Sequence, residues 1–236
     1  MLDRGISVLL LPGLLCDSFV WEAQYDALSR SAPTFVGDFK GFDDITAMAA
    51  SALALCSGPV IVIGHSMGAR VALETVRLAG PRIAGLGLLD TGIHPRREGE
   101  AAKRQALVDL AFAEGMGALA DAWLPAMVAP DRRSDHALMD PLRAMVMRMS
   151  PQIHARQIKA LLHRPDPRPY LNHVTCPTLI MVGREDNWSP PSQHEEIAAL
   201  IPQARLRVIE NSGHMLPSEQ PGPSTRELQQ FVQSII

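Results

Sequence analysis

Short apolar runs alternate with longer amphipathic stretches along most of this chain. The runs are Ile6–Leu11, Thr34–Val36, Val60–Ile63, Ile83–Leu89, Thr178–Val182 and Leu206–Ile209. Most are near-continuously apolar rather than alternating, the pattern of strands covered on both faces. Between them lie helical patterns near Val20–Leu28, Ile45–Leu55, Met67–Leu78, Ser192–Leu200 and Thr225–Ile236. Asp43 or Asp44 is placed to cap the second of these, and Gly80-Pro81 ends the third. The alternation predicts an α/β fold, a mostly parallel sheet of about six strands flanked by helices.

The pattern breaks between Ile93 and Tyr170. No strand is expected there; helices are, around Glu98–Ala113, Ala118–Trp123, Ser134–Met149 and Ile153–His163. The segment holds six of the eleven methionines (Met116, Met127, Met139, Met145, Met147 and Met149). It also carries twelve Lys/Arg against nine Asp/Glu, an excess of three positive charges. A helical insertion between two strands of a parallel sheet reads as a cap over the strands' carboxyl ends, where such sheets bind ligands. The expected organisation is therefore a core of residues 1–92 and 171–236 with a cap of 93–170.

Bulk properties narrow the class. A chain of 236 residues with 47% hydrophobic and 20% charged residues suits one large globular domain with a full core, or one domain plus a small insertion. A net charge of -3 gives no reason to expect nucleic acid or a membrane surface as partner. Cys16, Cys56 and Cys176 are odd in number and far apart, so neither a disulfide framework nor a metal site is expected. Met1-Leu2-Asp3-Arg4 leads directly into the first strand with no signal-peptide layout, and no apolar stretch approaches a membrane span. The expectation is a cytoplasmic protein.

Gly64-His65-Ser66-Met67-Gly68 is the most informative motif. Roughly one chain in ten of this size would carry such a pattern by chance, so its weight comes from context. A strand pattern precedes it and a helix follows, which fits a sharp turn that lifts a serine hydroxyl clear of the sheet. Ser66 needs a base within hydrogen-bond reach, itself oriented by a third group. Of eight histidines, His214 is the best placed, in Asn211-Ser212-Gly213-His214 just past the last strand; His94, beyond another strand end, is its rival. His65 adjoins Ser66 on the turn and is expected to pack beneath it. The remaining five fall in helical or linker contexts and are expected at the surface or in the cap. Asp186, between a strand and the start of a helix, is the expected acid, with Asp90 and Glu185 as alternatives. The backbone N–H of Met67, at a helix N-terminus, and that of Leu14, in the loop after the first strand, are candidate donors to a developing oxyanion. Leu15, Trp123, Met145, Trp188 and Met215 are candidate pocket residues. Cys16 is expected to be a small buried apolar residue.

These residues resemble the α/β-hydrolases. Ser66, Asp186 and His214 follow that family's chain order. Leu11-Pro12-Gly13 stands where the family often has His-Gly, Gly183-Arg184-Glu185-Asp186 resembles its acid loop, and Gly213-His214 its histidine loop. The resemblance covers the chain apart from the cap. Relative to the family, the first two strands are expected to be absent from this sequence, and proline replaces the histidine before Gly13. The resemblance implies a small serine carboxylesterase that needs no cofactor or metal. The implied partner is a small-molecule ester, and the basic cap suits an anionic or carrier-linked one. Thioesters, lactones and carbon–carbon bonds are alternative targets of the same machinery, and a non-catalytic ligand receptor is an alternative of a different class.

Overall fold

Strands β1 (Ser7–Leu11), β2 (Thr34–Val36), β3 (Val60–His65), β4 (Ile83–Leu89), β5 (Thr178–Gly183) and β6 (Ala204–Ile209) form one sheet, ordered β2-β1-β3-β4-β5-β6. Every neighbouring pair is parallel. The computed structural model describes residues 5–236, so Met1–Arg4, expected to lead into β1, lie outside the described residues. All residues of β1, β3 and β5 are buried, as their unbroken apolar runs predict. The edge strand β6 instead alternates, with Arg205 and Arg207 exposed. Such charges discourage further strand pairing at an open edge.

Helices α1 (Glu22–Leu28), α2 (Ile45–Leu53) and α3 (Met67–Ala79) occupy the crossovers among the first four strands. Asp44, not Asp43, caps α2: its Oδ1 accepts the Ala47 N–H at 2.8 Å. Asp43 pairs with Lys159 instead. Between β4 and β5 run α4 (Glu100–Trp123), α5 (His136–Met147) and α6 (Pro151–Leu162), with no strand among them. The two helices expected over Glu98–Trp123 meet at Gly115, whose φ of 86° and ψ of 176° break the helical path within α4. Glycine adopts that geometry at little cost. Helices α7 (Pro191–Leu200), α8 (Leu216–Glu219) and α9 (Pro221–Gln233) complete the chain. Helix α9 begins earlier than the sequence pattern suggests because proline is well suited to the first helical turn.

The α4–α6 segment is tied to the sheet-bearing part by specific bonds. Gln157 on α6 accepts the Leu15 N–H at 2.9 Å, and Arg148 forks onto Asp17 at 2.7 and 3.0 Å. Glu219 accepts the Ala129 N–H at 2.8 Å. No described helix is long and apolar enough to cross a membrane.

Candidate active site

The chain reverses its direction across the sheet at β1, which lies between β2 and β3, and loops after the strands converge at the carboxyl end. Four non-glycine residues there have left-handed backbone: Leu15 after β1, Ser66 after β3, Asp90 after β4 and Asn211 after β6, with φ from 48° to 59°. Strain of this kind persists only where surrounding packing imposes it. At Ser66 that packing is close. A Cβ on Gly64 would collide with the Gly68 carbonyl, and one on Gly68 with the Leu11 carbonyl. Both glycines let α3 approach the strands closely enough to hold the turn.

The Ser66 hydroxyl lies 2.8 Å from His214 Nε2. His214 Nδ1–H donates to Asp186 Oδ2, also at 2.8 Å. The other oxygen of Asp186 accepts the Trp188 and Ser189 N–H groups, each at 2.8 Å. Burial pushes the Asp186 pKa up, but His214 and the Ser189 N–H outweigh it and hold the carboxyl below its ordinary value. The three side chains thus form one hydrogen-bonded relay, although they are separated widely along the chain.

Other candidates fall elsewhere. Asp90 is fully buried and accepts the Gly183 and Leu216 N–H groups at 3.1 Å, bracing β5 and the segment after His214. Burial and the neighbouring Asp186 charge push its pKa well up. Glu185 accepts the Ser212 N–H at 2.8 Å, and His94 faces Glu196 at 3.2 Å. His65 Nε2–H donates to the His214 carbonyl at 2.7 Å, so the residue beneath the turn supports the histidine loop. Its pKa is pushed down to about 3, chiefly by burial, and the ring is neutral. His154 and His194, expected at the surface or in the cap, are both fully buried. Burial likewise drives the Cys16 thiol up to about 12.

A cavity of about 560 Å³ opens at Ser66. Leu14 and Met67 line it, and among the described residues neither backbone N–H has a hydrogen-bond partner. Trp123 and Trp188 also line it. Leu15, Met145 and Met215 do not: they are packed into the core, at most 1% exposed. Proximity in sequence to a loop or a cap does not say which way an apolar side chain turns, and these three expected pocket residues turn inward. The wall is more polar than expected, with Arg70, Glu100, Arg104, His154 and Arg164 along it. Sequence reasoning missed these, and it missed Glu219. One oxygen of Glu219 accepts the N–H groups on both sides of His214, Gly213 at 2.9 Å and Met215 at 3.0 Å. The only sequence signal for Glu219 was its position five residues past His214. No group of three or more metal-ligating side chains occurs among the described residues.

A parallel sheet with a serine on a strained strand-to-helix turn, hydrogen-bonded to a histidine and an aspartate from later loops, defines a hydrolase-type α/β architecture. The chain belongs to the alpha/beta hydrolase family, whose model matches residues 8–225. It is similar to the N-formylmaleamate deformylase of Pseudomonas putida, 27% identical over 91% of this chain and 84% of that protein. Among solved structures it resembles a thermophilic esterase from Thermogutta terrifontis, described with malate bound. That likeness has 30% identity, covers 98% of this chain and 91% of the other, and has a TM-score of 0.92. An enol-lactonase from Burkholderia xenovorans shares the fold, at 22% identity over 98% of this chain and 92% of the other, with a TM-score of 0.87. A hydrolase is the class these likenesses support.

Proposed function

We propose that the protein is a serine hydrolase that cleaves a small carboxylic ester through an acyl-enzyme. The observation that carries this reading is the relay from Ser66 through His214 to Asp186, two hydrogen bonds of 2.8 Å at the floor of a cavity. His214 Nε2 takes the Ser66 proton as Oγ attacks the ester carbonyl, and Asp186 stabilises the resulting imidazolium and fixes the ring's tautomer. The free N–H groups of Met67 and Leu14 receive the oxyanion, with Met67 at the positive end of α3. His214 then protonates the leaving alcohol. Water activated by the same base releases the acid and restores the serine. In this reading α4–α6 form the cap that shapes the pocket.

The esterase relative supports an ester substrate, while the deformylase and enol-lactonase relatives mark the nearest alternatives for the bond cleaved. Labelling with a fluorophosphonate followed by peptide mass analysis tests the mechanism. Stoichiometric modification at Ser66 with concurrent loss of ester hydrolysis is expected. Folded protein that hydrolyses esters yet leaves Ser66 unmodified would reject it.

A further inference from the structure

The polar wall of the cavity holds more positive charge than its own carboxylates neutralise. Arg164 forks onto Glu100 at 2.8 and 2.9 Å and also donates to the carbonyls of Leu161 and His94, so each of its three nitrogens is engaged. Arg104 shares the same carboxylate, donating only through Nε at 2.8 Å. Its two terminal nitrogens have no partner among the described residues, and its guanidinium lies 5.8 Å from the Trp188 ring centroid. Arg70 makes a single hydrogen bond, at 3.3 Å to the His94 carbonyl, and no described carboxylate lies within ion-pair distance of it. Two guanidinium groups thus share the one carboxylate of Glu100, and the third, Arg70, has none. The cavity's other inner carboxylate, Asp90, is engaged by backbone N–H groups. Glu98, which also lines the cavity, is exposed at its rim beside Arg97.

A second observation is independent of charge. His154 on α6 lines the same cavity, is fully buried, and has no partner for either ring nitrogen. Burial, with Arg104 nearby, pushes its pKa down to about 4, so the ring is neutral near pH 7 and offers one N–H. A buried donor left unpaired is costly, and so is a desolvated cation. One small anion satisfies both.

We infer that Arg70, Arg104 and His154 form a carboxylate-binding subsite, and that the ester cleaved here carries a free carboxylate. Planar, bidentate recognition is what a guanidinium offers a carboxylate, and the neutral imidazole adds one directional donor. The position suits a short substrate. Arg70 stands four residues after Ser66 on α3, roughly 6 Å along the helix axis. Arg104 reaches the relay from the other side, through Trp188, whose ring centroid lies 6.5 Å from that of His214. The carboxylate therefore sits a few carbons from the scissile carbonyl. That a captured molecule is then cleaved rests on the Ser66 mechanism above, whereas its capture does not.

Titration calorimetry with succinate on the whole protein measures capture alone. Binding at a Kd on the order of millimolar or below is expected, weakened roughly 10- to 100-fold in Arg70→Gln and in Arg104→Gln. Arg104→Gln lies away from the sheet and repeats the measurement if Arg70→Gln misfolds. In parallel, kcat/KM is compared for p-nitrophenyl hydrogen succinate and p-nitrophenyl butyrate. The ratio is expected to favour the acidic ester in wild type and to fall roughly 10- to 100-fold in Arg104→Gln. Succinate that fails to bind, a ratio indifferent to Arg104→Gln, or inorganic phosphate that binds more tightly than succinate would each overturn the subsite. Succinate capture without hydrolysis of either ester would instead sink the Ser66 mechanism and leave the subsite standing.

Discussion

At the residue scale, chemistry and strain meet at the turn that carries Ser66. As the proposed nucleophile, Ser66→Ala should lower kcat by roughly a million-fold, measured on any ester the wild type turns over. Asp186→Asn keeps the shape of the relay but reverses its hydrogen-bonding sense at one oxygen, since an amide nitrogen does not accept the His214 Nδ1–H. A fall in kcat on the order of 10⁴-fold is expected, with a much smaller change in KM. A fall of less than tenfold would remove Asp186 from the relay. Gly64→Ala tests the turn itself. Its methyl group would meet the Gly68 backbone, which has no rotamer to move. A loss of about 3 kcal/mol or more in urea-unfolding experiments is expected, at the upper end of overpacking costs.

At the element scale, the histidine loop is held by groups that bond its backbone and not the Ser66–His214–Asp186 hydrogen bonds themselves. His65 supports it through the His214 carbonyl, and Glu219 grips the N–H groups on either side of His214. The second oxygen of Glu219 accepts the Ala129 N–H, so one buried carboxylate joins the loop to the helical segment. Burial pushes its pKa up, which the three N–H groups only partly offset. Glu219→Gln turns one acceptor into a donor facing a backbone N–H. Expected outcomes are a loss of about 1–3 kcal/mol in stability and a kcat reduced by roughly 100-fold as the imidazole shifts. A variant with wild-type kcat would show that the loop holds its geometry without Glu219. The elements themselves were largely legible. All six strands appear where the apolar pattern placed them. Strands β1, β3 and β5 were the plainest, because a strand buried on both faces admits few polar residues, whereas the edge strand β6 alternates with exposed arginines. The helix starts were less so: α9 begins at Pro221, before its amphipathic pattern does.

For the whole molecule, buried histidines set the response to acid. His65, His154 and His194 have pKa values lowered to about 3, 4 and 4, in each case mainly by burial. Between these values and the ordinary 6.5 the unfolded chain takes up protons that the folded state refuses, so stability falls as pH drops below about 6.5. Asp90 and Glu219 oppose this, because their raised pKa values let the folded state hold protons the unfolded one has lost. Three groups against two still leaves stability rising with pH, by a few kcal/mol per pH unit at most. His194→Gln keeps an acceptor for the Thr91 N–H, which His194 now accepts at 2.8 Å. It should reduce the average slope by about 1 kcal/mol per pH unit in urea titrations at pH 5, 6 and 7, more between pH 5 and 6 than between 6 and 7. An unchanged slope would show that His194 titrates alike in both states.

The linear sequence by itself determined the parallel α/β sheet, the serine on its glycine-bounded turn, and the histidine and aspartate loops that could reach it. Each is a local signal: an apolar run, a glycine that no larger residue could replace, a polar residue just past a strand. Only the tertiary structure decided that Asp90 braces the loops while Asp186 meets His214, that Leu15, Met145 and Met215 turn into the core, and that Arg70, Arg104 and His154 face one cavity. Those outcomes depend on side-chain direction and on contacts between residues far apart in the chain. Such contacts carry no periodicity, and the chain specifies them only through the packing of the whole.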